Sequence, residues 1–571
     1  MNTAEKWVTT TDALIAAIQD ESIAKVVISG RVVDVPTIRL SPGRSLCGAA
    51  EGAIIAFAPG ADGVELSSDN SVHDLHLSAS PGRRAIFNDA ACATLGRIEL
   101  HGVSTTGHVQ ILARGQVRSG HVDVNGLDII AADSRAETER PHGYGVYVLH
   151  GAFTLWNMQP DEDVAISADL VGISAGRDGA PVRGSGVFVS GAGDTGGRLI
   201  ARRLETGAVY SDGGIPPGTP DCISGGVFVV HGAFADSVRN RGPVTTYGVN
   251  DMVLDNWGVV DRWVAEDKIT SHGQSGIGFV NFGTVNVLQV EAPIETFGRG
   301  ARGFNVYTGT VNSAEFERIV THADGAVGVQ ISQPVGKIKV RRGIETFGGA
   351  GNSLVKGVVV KLSAIALSLK PGGSAREISI AGGLITHGEG VSPLEVHGAI
   401  ESLQVTDGFA AAGGASKKSP GRRRRICGCF GHGCQTQRDC RRLIARCKGR
   451  SEKDRLRSDR PWKQGAQGVS CVRGLTWRTA ACGGARFRRV VRLQLGAAVS
   501  AGLQVAYADR RRHTGRHPDQ RHRTLRLQAE VEFQTGTVAT LCDEAQAPTG
   551  EMAETPPSIA WRTSYRGRRV C

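Results

Sequence analysis

No run of 18 apolar residues occurs anywhere in the chain, which removes a transmembrane helix from the expected architecture. Aromatic residues supply only 5% of the sequence, while Gly reaches 77 of 571 positions. That balance argues against an aromatic-cored helical globule and for a β architecture dense in turns. The start, Met1-Asn2-Thr3-Ala4-Glu5-Lys6-Trp7, lacks a basic segment followed by an apolar one. No secretory signal is read there, and the expected compartment is the cytoplasm by default. Cysteine is scarce before residue 417: Cys47, Cys92 and Cys222 lie far apart and are expected to be free and buried.

Charge divides the chain in two. The formal net charge is +11, yet residues 417–571 hold 34 Lys+Arg against 12 Asp+Glu, leaving 32 against 43 in residues 1–416. Nine of the 12 cysteines also fall in that tail, which opens on Arg422-Arg423-Arg424-Arg425. Three readings stay open. A basic arm would bind nucleic acid or acidic surfaces. Cys427, Cys429, Cys434, Cys440 and Cys447 would bind zinc, although they form no Cys-x-x-Cys pairs. Alternatively, the tail is frameshifted translation joined to a repeat array, in which case nucleic acid is not an expected partner. Three segments follow: a capping segment 1–24, a repeat body 25–416 and an Arg/Cys-rich tail 417–571.

The body is periodic. An aliphatic residue, a variable one, Thr or Ser, and then an aromatic or His recur at Val244-Thr245-Thr246-Tyr247, Ile269-Thr270-Ser271-His272, Ile294-Glu295-Thr296-Phe297, Ile319-Val320-Thr321-His322 and Ile344-Glu345-Thr346-Phe347. The step is 25 residues. Trp257, Phe282 and Tyr307 form a second column with the same step. The segments between turns are short and alternate Val/Ile with polar residues, a strand signal. A 25-residue unit cannot bury its own apolar face, so the units must stack, with equivalent residues about 4.8 Å apart. The step widens before residue 226 and again near 370. Loops such as 175–181 and 212–221 supply the extra residues, and solenoid insertions mark the binding face. Residues 8–22 read as a helix capped by Thr11 or Asp12.

With the capping helix, the run Val26-Val27-Ile28-Ser29-Gly30 and the run Ile38 to Gly48, residues 1–410 resemble the pectin-lyase-like superfamily. That resemblance implies an all-β fold, a single right-handed parallel β-helix, and a function in binding or processing an extended polysaccharide. The alternative is a structural or adhesin-like solenoid without chemistry. The hydrolase pattern of the family is missing: the body has no Asp-Asp pair, and Gly107-His108 and Gly120-His121 are not followed by Gly. If the chain is an enzyme, a lyase needs carboxylates for Ca²⁺ and a basic residue to take a proton next to a carboxylate. Asp251 and Asp255 share one strand face by the period of two, with Arg262 close behind. These are the catalytic candidates. Asp212 and Asp221 in the longest loop, with Trp257, Phe282 and Tyr307, are the substrate candidates. No other cofactor is expected. Glu295 and Glu345 stand two coils apart, about 9.6 Å, a spacing that also suits an inverting pair. The Tyr247–Phe347 ring column would stack sugars if it faces solvent. Asn256, Asn281 and Asn305 read as a turn ladder.

Overall fold

The structure, a computed structural model, describes residues 4–49, 52–355 and 358–413, and the backbone of short pieces at 428–429, 432–433, 505–506, 525–532 and 538–545. Short aliphatic strands separated by turns wind into a parallel solenoid, each turn adding one strand to each of three faces. The first face runs from Ile23–Ile28 to Ala399–Val405 and the second from Arg31–Val35 to Phe409–Ala411. The third runs from Ile38–Arg39 to Leu394–Val396 and forms its own sheet. In the middle coils the first two faces fuse. Thr94–Thr106, Ser119–Ala131 and Ala165–Ala175 bend through the corner at Gly102, Gly126 and Gly172, whose φ values of +63°, +79° and +74° only glycine adopts freely.

The 25-residue step is the physical register. Val244 pairs with Ile269, Ile269 with Ile294, Ile294 with Ile319, and Ile319 with Ile344. This aliphatic ladder faces the interior, where Trp263, Phe279, Phe304 and Phe316 are fully buried. The hydroxyl ladder behind it turns inward too: Thr321 Oγ1 donates to Ala326 O (2.8 Å) and Thr386 Oγ1 to Val391 O (2.9 Å), fixing the turn into the third face.

The opening coil is covered by more than a helix. The helix Thr11–Gln19 is capped by Thr10, one residue earlier than expected, whose Oγ1 accepts from Ala13 N. Before it, Ala4–Val8 pairs in parallel with Ile23–Ile28, covering the edge of the first rung. The buried Arg44 guanidinium donates to Asp20 O (2.8 Å) at the helix end and ties the cap to the second coil. The widening expected near 370 lies earlier, in the antiparallel hairpin Ala350–Val355/Val358–Ser363.

The chain divides into two units, Met1–Trp462 and Lys463–Cys571. The second holds a small antiparallel sheet of Val505–Ala506, Leu525–Glu532 and Val538–Ala545. The tail's Arg run and the side chains of its cysteines lie outside the described residues. No described helix is long and apolar enough to cross a membrane.

Candidate functional site

Strand alternation sends Val227, Leu254, Phe279, Phe304, Val329 and Leu367 of the third face into the solenoid, in one registered column. The following residues, Phe228, Asp255, Val280, Asn305, Gln330 and Ser368, must point outward. An outward residue is normally solvated, yet these are 0–3% exposed. Two insertions cover them. Segment 132–150 carries the short hairpin His142–Gly143/Val146–Val148, and Ala350–Val355/Val358–Ser363 is the second cover. Under them lies an apolar cluster distinct from the interior, with Trp156, Phe228, Met252, Trp257, Phe282 and Tyr307. The first cover is held by Tyr147 N donating to Asp221 O (2.8 Å) and by Glu137, whose carboxylate lies 3.2 Å from the buried His108 ring. His108 is the main influence holding Glu137 down to about 2. Ser353 Oγ of the second cover donates to Gly300 O (2.6 Å).

Beneath the covers run two parallel columns. The expected column Trp257, Phe282 and Tyr307 is present, with ring centroids 5.7 and 5.1 Å apart, and it is buried. Beside it, on successive rungs, stand Asp255, Val280, Asn305 and Gln330. Burial pushes the Asp255 carboxyl well above its ordinary value, and the nearby Trp257 indole N–H, short of full hydrogen-bond geometry, offsets only part of that. Neither Asp255 oxygen, neither Asn305 amide atom, nor Gln330 Oε1 has a partner of hydrogen-bond geometry among the described residues. Arg302 is fully buried on the same face, 5.8 Å from the Tyr307 ring.

Asn305 is the residue that the turn-ladder expectation misplaces. Asn256 and Asn281 form that ladder, with Asn256 Nδ2 donating to Asn281 Oδ1 (2.8 Å), but the next member is Val306. Asn305 falls one residue short of the step, and a shift of one residue sends a side chain to the opposite face. That shortfall was the available signal. Gln330 falls on the same 25-residue step, after Val280 and Asn305, and so was legible too, whereas nothing periodic marks Tyr144.

Asp251 sits four residues before Asp255 on the strand Asp251–Asn256, about 13 Å away along the chain, so the two cannot share a proton or an ion. Asp251 does meet Asp212: both carboxylates flank Gly248, and a β-carbon there would lie 2.6 Å from one and 2.7 Å from the other. Asp251 is fully buried and accepts from Ser224 Oγ (2.5 Å), Gly248 N (2.7 Å) and Gly213 N (3.3 Å). Burial raises it to about 7. Asp212 pairs with Arg183, and the exposed Asp221 ends the loop. Arg262 is not in this site. It stands exposed on the first face, with its guanidinium on Gln289, because the strand turns a corner between residues 256 and 259. The expected trio Asp251, Asp255 and Arg262 is therefore dispersed, whereas Asp255 joins the three rings.

The second ring column, Tyr247, His272, Phe297, His322, Phe347 and His387, reaches solvent, but its rings stack face to face at 4.3–5.3 Å. Its faces are occupied by its own members, so it offers edges rather than sugar platforms. Glu295 and Glu345 lie 2.8 Å from His322 and His387 as hydrogen-bond partners. The three cysteines are free and only half-buried, against the expectation of burial. Among the described residues no group of three or more His, Cys, Asp or Glu side chains is placed to hold a metal ion. No family model, curated protein or solved structure matches the chain.

Proposed function

We propose that the chain is a carbohydrate-binding β-helix of the pectin-lyase-like kind, taking an extended polysaccharide along the outer side of its third face. The observation that carries this reading is the pair of columns there. Beneath the covers Asp255, Asn305 and Gln330, on three of four successive rungs, hold atoms without a hydrogen-bond partner among the described residues, beside the buried rings of Trp257, Phe282 and Tyr307. Sugar rings carry hydroxyl edges and C–H faces, and a chain of them would satisfy both columns. Buried polar groups without partners are rare in folded proteins and call for a reason. Binding without cleavage is favoured by the dispersal of Asp251, Asp255 and Arg262. The rival, a purely structural solenoid, is favoured by the ring and hydrogen-bond ladders on the outer side of the second face, which satisfy themselves.

The test is retention on a panel of neutral and acidic polysaccharides, with a depolymerisation assay with and without Ca²⁺. Phe282→Ala and Asp255→Val should weaken retention, and Asp255→Val should leave the chain at least as stable, since Val280 already fills the next rung. Retention by no polysaccharide, or retention indifferent to both substitutions, would overturn the proposal.

A further inference from the structure

The hairpin His142–Gly143/Val146–Val148 reverses at Tyr144-Gly145, both with positive φ (+54° and +83°). This is the two-residue turn that Asn-Gly or Gly-Gly normally makes. A bulky Tyr in the left-handed region is out of place on local grounds. Its side chain explains the choice. The ring stacks on Phe282 (4.4 Å, 21°), meets Trp257 edge-on (5.1 Å) and lies 5.2 Å from the His231 ring. Its hydroxyl reaches the Phe282 carbonyl at 3.5 Å. Gly143 lets the tip go that deep, since a β-carbon there would lie 2.6 Å from His231 Nε2 and 2.7 Å from Trp257. The fully buried Asp255 carboxyl, whose oxygens have no partner of hydrogen-bond geometry among the described residues, contributes to raising the Tyr144 hydroxyl, behind burial and Asp194.

We infer that the Tyr144 ring occupies a subsite for one sugar ring of the ligand, and that its hairpin is an internal occupant which the ligand displaces. This rests on the carbohydrate reading above and extends it. A flat six-membered ring with apolar faces and one hydroxyl shares the features of a pyranose that the box recognises: a face for Phe282, an edge for Trp257 and a hydroxyl for a backbone carbonyl. The hairpin is small, with two residue pairs, and its second strand is also paired with Cys222–Val229 through Tyr147 and Val148, so it is the tip at Tyr144-Gly145 that leaves the box. Because the intact chain spends most of its time occupied by its own ring, its apparent affinity is lowered by the fraction of time the box is empty.

The experiment uses the full chain and two ways of emptying the box. Tyr144→Gly removes the ring and suits the turn. Gly143→Ala keeps the ring but places a methyl group where His231 and Trp257 stand. Tyr144→Phe is the closed control. The probes are 4-methylphenol, which is the tyrosine side chain itself, and neutral and acidic oligosaccharides, read by tryptophan fluorescence and calorimetry. The expectation is saturable binding of 4-methylphenol to Tyr144→Gly but not to the intact chain. Oligosaccharide binding should be about tenfold tighter or more in both opened variants, and unchanged in Tyr144→Phe. Equal oligosaccharide binding by intact and opened chains would overturn the displacement inference and leave the carbohydrate reading standing. Binding of 4-methylphenol alone, with no oligosaccharide bound by any variant, would overturn the carbohydrate reading and the sugar subsite with it. Failure of 4-methylphenol to enter Tyr144→Gly would overturn the assignment of the box as a ring site.

Discussion

At the scale of single residues, the third face stores cost in its carboxyl groups. Asp251 accepts three hydrogen bonds and still titrates near 7, because complete burial outweighs them and Asp212 adds a like charge. A carboxyl raised above its unfolded value favours the protonated fold. Its contribution is fully present below about 4 and is lost as pH rises through about 7. Asp255 acts in the same direction. Asp251→Asn should abolish the Asp251 share: the amide oxygen can accept from Gly248 and Gly213 N–H, and the amide nitrogen can donate to Ser224 Oγ. Urea unfolding at pH 5 and pH 8 should show the intact chain losing stability across that range and the variant losing less. The gap should grow by up to roughly 1.4 kcal/mol for each pH unit crossed between the two values. Parallel losses in both chains would show that Asp251 is not the group responsible.

At the scale of the strand and its turn, close stacking is set by glycine. After Phe282, Gly283 lies against the previous coil so tightly that a β-carbon would stand 2.0 Å from Gly258 O and 2.6 Å from the Trp257 backbone. Both contacts are with backbone, which cannot swing aside as a side chain would. Gly283→Ala should therefore force the coils apart at the Trp257–Phe282 step, cost roughly 1–3 kcal/mol, and change the tryptophan fluorescence. A variant with unchanged stability and emission would contradict this account of the turn. The same elements show what was legible in the sequence. The 25-residue step set the register of the second face correctly, because one residue of slip would expose every buried aliphatic. It also gave Trp257, Phe282 and Tyr307 as one column. It misplaced Arg262, since alternation orders side chains within a strand but does not carry across a corner. It also missed the covers. Tyr144 and the 350–363 hairpin belong to insertions, which obey no period, and their contacts are made far along the chain, across 138 residues from Tyr144 to Phe282 and 53 from Ser353 to Gly300.

At the scale of the whole molecule, a solenoid differs from a globule in how damage spreads. Apart from its inserted covers, each coil touches only its neighbours, so stability is close to a sum of coil and interface contributions. Trp263 is a demanding probe: it is fully buried, packs edge-on to Phe279 at 5.1 Å, and its indole N–H donates to Asn240 Oδ1 (2.9 Å). Trp263→Ala should cost about 3–5 kcal/mol through the cavity it leaves, and more through the orphaned Asn240. In a globule that loss would lower protection everywhere. Here it should stay local. Amide exchange should accelerate in Val259–Ala265, the strand of Trp263, and in Ala233–Asn240 and Thr284–Val290 on either side. Ile23–Ile28 and Ser45–Gly48, many coils away, should keep their rates. Uniform acceleration across the body would mean that the coils unfold as one cooperative unit. The third face would then be unable to open its covers without loosening the rest. Local acceleration would instead mean that segments such as the Tyr144 hairpin can move off the columns while the rungs beneath them stay paired, which is what displacement by a ligand requires.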